Sequence, residues 1–355
     1  MKLHLVGGFL GSGKTTAIIN AIKLLLAANQ RVGVITNDQG KYLVDTTFFR
    51  ASDLPTVEVT GGCFCCQYDD LNKRLGELLK SADPEVVFAE SVGSCADIVA
   101  TVVKPLIQLA GANFSPASFS VFADARLLLR RLQGEELPFN EHVVYIFDQQ
   151  IEESGLLVVN KIDLLDSPSL WQLNTHLAER YPGKPILLQT SLTPNGVSPW
   201  LDQIQSGQVP LPQKSLEMDY ESYAAGETSL AWLDQALTLS VPDGSGKRVI
   251  EQLVTTLTGQ LAARKAGIGH LKFIIQGKHG QIKFSFPTLE EPGWQKQIPN
   301  LAGKEIHLLV NARAELPPGE LRALLSQALN QPGVIVQFGE GEAFNPGVPK
   351  PTHRI

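Results

Sequence analysis

Gly8-Phe9-Leu10-Gly11-Ser12-Gly13-Lys14-Thr15 is a G-x-x-x-x-G-K-[ST] motif without a mismatch. It follows a short apolar run, Leu3–Val6, and opens a helical pattern from Thr15 to about Ala28. Strand, loop and helix in that order make the stretch a phosphate-binding loop. Its glycines let successive N–H groups turn inward as a nest for phosphate oxygens. The helix that starts there adds its positive N-terminal end. Lys14 supplies a point charge for the outer phosphates, and the Thr15 hydroxyl is placed to ligate Mg²⁺. Gly8, Gly11, Ser12, Gly13, Lys14, Thr15 and Thr16 are therefore the expected phosphate contacts.

Outward from this loop, apolar strands alternate with helical patterns to about residue 210. Strands are expected at Leu3–Val6, Val32–Thr36, Val57–Val59, Val86–Ala89, Phe119–Ala123, Leu156–Asn160 and Pro185–Gln189. The helices between them include Tyr68–Ser81 and Asp97–Leu109. Runs such as Val86-Val87-Phe88-Ala89 and Leu156-Leu157-Val158-Val159 are apolar on both faces, as a sheet covered on both sides requires. The expectation is an α/β fold with a doubly wound, mostly parallel sheet and ligands beyond the carboxyl ends of its strands. Residues 211–226, with Pro212 and Gly226, read as a linker. Residues 227–355 then follow a different order, with helices at Lys247–Ala266 and Pro318–Asn330 among short strands, the last at Val334–Phe338. That suggests a smaller C-terminal α+β domain, loosely ferredoxin-like. The Gly- and Pro-rich stretch Gly339–Ile355 is expected to be either poorly ordered or docked.

The 355 residues are 43% hydrophobic and carry a formal charge of −6. No run of Lys or Arg is longer than two residues, as at Arg130-Arg131, so neither nucleic acid nor an anionic membrane is an expected partner. No apolar stretch approaches the roughly 18 residues of a membrane span. With the phosphate loop at residue 8 there is no room for a signal peptide before it, so a cytoplasmic, reducing compartment is expected. The four cysteines then read as thiols or metal ligands rather than a disulfide framework.

Four further motifs carry chemistry. Asn160-Lys161-Ile162-Asp163 leaves the end of a strand. A carboxylate at Asp163 can accept from both N1–H and the N2 amine of guanine, a donor pair that adenine lacks. Asn160 can tie this loop to the phosphate loop, the Lys161 stem can cover the ring face, and Ser191 lies on the next strand exit. Glu90-Ser91-Val92-Gly93 stands where a P-loop protein carries its second acid, with Glu90 for Mg²⁺ and the Gly93 N–H for the γ-phosphate. Gly61-Gly62-Cys63-Phe64-Cys65-Cys66 sets three thiols in four residues. Thiolates select soft or borderline ions such as Zn²⁺ or Co²⁺, and three ligands leave a position open for transfer. A redox pair at Cys65-Cys66 or plain apolar packing is the alternative. Cys95 can complete a tetrahedron, or serve as an ordinary core residue. Asn37-Asp38-Gln39-Gly40 reads as a switch loop in which Asp38 positions water or binds metal, or as a simple turn.

Taken together, Gly8–Thr16, Asn37-Asp38-x-Gly40, Gly61–Cys66, Glu90-x-x-Gly93 and Asn160-Lys-x-Asp163 resemble the CobW-type GTPases. These group with the hydrogenase and urease nickel-chaperone GTPases. The resemblance implies a slow, metal-responsive GTPase that uses GTP and Mg²⁺ and delivers Zn²⁺, Co²⁺ or a cobalamin-type cofactor to a client metalloprotein or corrinoid protein. It makes Cys63, Cys65 and Cys66 the metal site, sets Lys14, Thr15 and Glu90 on phosphate and Mg²⁺, and has Asn160 and Asp163 read guanine. Lys14, Glu90 and Asp38 are the catalytic candidates. There are departures: no His-rich tract, Asp38 where relatives usually carry Glu, and Val92–Asp97 resembling the cobalamin-synthesis-protein-like subgroup. No cis arginine finger is visible, so acceleration by a client or in a homodimer is expected. The rival reading is a nucleotide-gated activator or repair factor of a corrinoid protein or methyltransferase, with redox or structural thiols. A P-loop kinase is a third, which Asn160–Asp163 argues against.

Overall fold

The fold is described from a computed structural model, at residues 1–38, 55–109, 116–277, 280–287, 293–301 and 303–355. The alternating first half forms seven strands: β1 (Lys2–Gly8), β2 (Val32–Asp38), β3 (Thr56–Thr60), β4 (Val86–Glu90), β5 (Pro116–Asp124), β6 (Leu156–Asn160) and β7 (Ile186–Leu188). They pair in the order β3-β2-β4-β1-β5-β6-β7, every pair parallel. β4 and β6 are buried along their whole length, because helices cover both faces. One face packs α1 (Lys14–Ala27) around Trp200, whose indole N–H donates to Ser120 Oγ at 3.0 Å. The other packs α2 (Tyr68–Ala82) and the segment from Ile98 to Leu106. The expected helix over 97–109 is split. Val99–Val103 is a π-helical turn, followed by α3 (Lys104–Leu109). Pro105 has no N–H to return to Thr101, so the α-helical ladder cannot run through this point. Helices α4 (Ala125–Leu132), α5 (Glu141–Glu153), α6 (Ser167–Arg180) and α7 (Pro194–Gln205) complete this half.

Residues 220–229, which overlap the expected linker, form α8 (Tyr220–Ser229). It lies against α5, with Tyr223 buried beside Ile146. Gly226 comes so close to the His142 carbonyl that a β-carbon would collide with it. A second sheet follows, built from β8 (Ala231–Ser240), β9 (Ile268–Gly277), β10 (Gly280–Pro287), β11 (Glu305–Ala314) and β12 (Ile335–Phe344). Its order is β10-β9-β11-β8-β12, every pair antiparallel. α9 (Gly246–Ala263) and α10 (Pro318–Leu329) cover one face with a core of alternate strand residues. β8, α9 and β9 form a split βαβ unit with β11 between the strands. β12 runs six residues past the expected Phe338, through an irregularity between Phe338 and Gly341. The two glycines that broke its pattern in the sequence lie against β8, Gly339 beside Ala236 and Gly341 beside the Gln235 side chain. Among the described residues no helix is long and apolar enough to cross a membrane.

Candidate nucleotide cleft and thiol cluster

Parallel pairing brings the carboxyl ends of β1, β2, β4, β5 and β6 to one edge: Val6 is level with Glu90, Thr36 with Glu90, Gly8 with Phe122, and Asp124 with Asn160. Gly8, Gly11 and Gly13 have φ of 123°, 72° and 93°, the left-handed region that glycine adopts without strain. A β-carbon on Gly8 would strike the Phe122 backbone, and one on Gly13 the Asn160 amide. Lys14 Nζ donates to the carbonyls of Gly8 (2.7 Å) and Phe9 (3.2 Å), bridging the loop. Thr15 Oγ1 donates to Glu90 Oε1 at 2.8 Å, both side chains buried. Two hard oxygen donors so placed fit a Mg²⁺ ion, which prefers such ligands alongside phosphate.

Asn160 joins the two nucleotide motifs. Its Nδ2 donates to Ser12 O at 2.7 Å and its Oδ1 accepts from Ser191 Oγ at 2.8 Å. Asn20 donates to Ser191 O and Gln189 to Ser191 Oγ, fixing that turn. Lys161 has φ of 66° and lies 3.4 Å from Asp124. Burial alone would raise the Asp124 carboxyl, but Arg126 and Lys161 outweigh it and hold it below the usual carboxylate range. Asp163 is exposed on the following turn. Gly11, Thr16, Gly93 and Asp163 line the same cleft as Lys14, Glu90 and Asn160, a space of about 650 Å³. Asp38 ends β2 at this edge; its side chain and residues 39–54 lie outside the described residues.

Beside the cleft, the turn after β3 gathers the thiols. Cys63 O accepts from the N–H groups of Cys66 (3.0 Å) and Gln67 (2.9 Å), curling the chain. Sγ separations are 2.7 Å for Cys63–Cys65, 3.3 Å for Cys63–Cys66 and 3.7 Å for Cys65–Cys66. Cys95 is buried in the same apolar cluster as Cys63 and Cys65, while among the described residues the three thiols of the turn are the ones close enough to share an ion. Hydrogen bonds from the Cys65 and Cys66 thiols hold Cys63 well below the ordinary thiol range. The contact with Cys63 in turn pushes Cys65 up and raises Cys66 to about 11, while burial raises Cys95. Residues from the far end of the chain cover it: Lys350 N donates to Cys66 Sγ (3.2 Å), Thr352 N to Cys65 O (2.9 Å), and Arg354 Nε to Asp97 Oδ2 (2.9 Å).

Three residues beyond the expected site residues connect the two places. Asn37 lines the cleft and also clamps the thiol turn, donating to Val59 O and Gly62 O and accepting from Phe64 N. Gln150 donates to the carbonyls of both Gly93 and Cys95. Arg313, 0% exposed, donates to Ser94 Oγ at 3.1 Å, lies 3.7 Å from Glu227 and stacks over the Trp232 ring at 4.0 Å. His270 bonds Asn311 Oδ1 at 2.6 Å, and Asn311 in turn bonds Asp234. Only Asn37 carried a signal in the sequence, as part of its turn motif. The partners of the others lie on elements far away in the chain.

A family model described as the CobW/HypB/UreG nucleotide-binding domain matches residues 2–187. The chain is 26% identical over 211 residues to a zinc chaperone CobW of Sinorhizobium sp, covering 52% of this chain and 57% of that protein. It is 31% identical over 172 residues to the zinc chaperone YeiR of Escherichia coli K12, covering 46% and 47%. The chain spans about half the length of the curated relatives it matches. Among solved structures, the Zn(II)-bound YjiA GTPase from E. coli aligns with 92% of this chain and 98% of its own, at 14% identity and a TM-score of 0.40.

Proposed function

Because this chain belongs to the CobW/HypB/UreG family of nucleotide-binding domains, we propose that it is a GTP-hydrolysing metallochaperone whose thiol cluster carries the metal. In this reading residues 1–210 form the GTPase unit, 211–226 the linker and 227–355 the second domain. Asp163 accepts from guanine, and Asn160 holds the guanine loop on the phosphate loop. Lys14 and the nest N–H groups bind the phosphates, and Thr15 and Glu90 hold Mg²⁺, which when bound neutralises charge on the β- and γ-phosphates. Water attacks the γ-phosphorus as the bond to the β–γ bridging oxygen breaks, giving GDP and phosphate. Lys14 and the Gly93 N–H stabilise the charge on the transferred group. Cys63, Cys65 and Cys66, with Cys95 as a fourth thiol, bind Zn²⁺ or Co²⁺ as cargo for a client metalloprotein or corrinoid protein.

One observation carries this reading. A single segment, Glu90 to Cys95, bonds Thr15 at one end and packs in the cluster of Cys63 and Cys65 at the other. Nucleotide-dependent movement of Glu90 or Gly93 therefore bears directly on the cargo site, and the two ligands share a coupling free energy. The test is equilibrium binding of Zn²⁺ and Co²⁺ to anaerobically reduced protein with GTP–Mg²⁺, with GDP–Mg²⁺ and without nucleotide. One bound ion per chain is expected, with an affinity that differs between GTP and GDP, and the Cys63→Ser/Cys65→Ser variant is expected to lose it. Equal binding by that variant would sink the cargo assignment.

A further inference from the structure

Among the described residues, helices pack on one face of the second sheet, and part of its other face lines the nucleotide cleft. Along β9 the core residues Leu271, Phe273 and Ile275 alternate with His270 and Lys272, which line the cleft. Lys283 on β10 and Asn311 on β11 line it too. The register sets Lys272 opposite Asn311 on one side and Ser285 on the other. Two contacts near the start of β9, just before Lys272, hold this face against the first sheet. Gly269 sits so close to Leu10 that a β-carbon would come within 2.5 Å of Leu10 Cδ1. Arg313, level with His270 across the ladder, reaches Ser94. Lys272 follows His270 by two residues on the same face, about 7 Å along the strand.

The charge of the lining says what this wall meets. Among the described residues the cleft has five lysines (Lys14, Lys23, Lys161, Lys272, Lys283) and two carboxylates (Glu90, Asp163). Lys161 is paired with Asp124, and the other four lysines still outnumber the two carboxylates; such an excess of cations raises the local concentration of a polyanion. Two of the five come from the second sheet, which meets the first at Leu10, itself packed on Gly93.

We propose that Lys272 contacts the terminal phosphate of the bound nucleoside triphosphate, with Lys283 reinforcing the field, so that the second sheet is a wall of the nucleotide site. This deepens the GTPase reading above and rests on it. The second domain then acts in cis as a sensor: the group that Lys272 reads leaves on hydrolysis, and its hold on the first sheet weakens with it.

The test is calorimetric binding of β,γ-imido-GTP and of GDP, each with Mg²⁺, to the full chain. Wild type, Lys272→Gln and Lys272→Arg are compared. Loss of one charge-assisted contact is expected to weaken the triphosphate analogue about tenfold or more in Lys272→Gln, with GDP affinity nearly unchanged. Lys272→Arg is expected to keep most of the discrimination. Unchanged affinities in Lys272→Gln, or equal losses for both nucleotides, would overturn the proposal while leaving the GTPase reading intact. Failure of the wild type to bind either nucleotide would overturn both.

Discussion

Gly13 shows how much one backbone angle carries. Its φ of 93° suits glycine, and the Asn160 amide occupies the space that a β-carbon would need. Gly13→Ala is expected to cost about 2–3 kcal/mol, from left-handed strain and from loss of the Asn160–Ser12 hydrogen bond. Denaturant midpoints would show the stability loss, and GTP binding should fall with it. Such residues were legible in the sequence because their meaning is local. Gly-x-x-x-x-Gly-Lys-Thr and Asn-Lys-x-Asp state their geometry within a few positions. Gln150, Asn311 and Arg313 could not be read that way. The Arg313–Ser94 bond spans 219 residues, and nothing adjacent to either residue marks it.

At the scale of elements, the strands and helices of the first half were legible from apolar runs and period. The exceptions have physical causes. The π-helical turn before Lys104 follows from a proline that a periodicity count passes over. The extension of β12 was hidden by Gly339 and Gly341, whose low strand propensity is offset by their fit against Gln235 and Ala236. Gly339–Ile355 was expected to be poorly ordered or docked; its first six residues extend β12 and the rest dock. Thr352 supplies an N–H and a hydroxyl to the carbonyls of Cys65 and Cys66. Thr352→Pro removes that N–H and is expected to raise the rate at which a bulky disulfide reagent modifies Cys66 severalfold, with little change in nucleotide affinity. Unchanged thiol kinetics would show that this segment does not shield the cluster.

For the whole molecule, the doubly wound sheet followed from the alternation of elements, whereas the orientation of the second sheet did not. Polar residues alternating along β9 look the same whether they face solvent or a neighbouring unit. A pH dependence belongs at this scale, because one buried acid joins α5 to the segment after Cys95. Glu153 Oε2 accepts from Val99 N at 3.1 Å. Burial, and to a lesser extent the charge of Asp97, push its carboxyl up to about 8. Between the usual carboxylate range and about pH 8 the native state keeps a proton that the unfolded chain has lost. Stability therefore falls as pH rises through that window and levels off above it. Glu153→Gln is expected to flatten this slope. Urea midpoints between pH 5 and 9 for both proteins decide it, and parallel slopes would exclude Glu153 as the cause.

Trp232 has a further consequence. It sits on β8, yet its ring is buried in the apolar cluster of the first sheet, with Cys63, Cys95 and Val92. The first half of the chain therefore borrows a piece of its interior from beyond the linker. During synthesis, strands β1 to β7 can pair once residue 188 has emerged, but their core stays open until β8 arrives and Arg313 closes over Trp232. Until then the thiols and the phosphate loop share an unsealed seam. A fragment cut between the two sheets would inherit that seam for good, prone to self-association and proteolysis although each of its sequence motifs is intact.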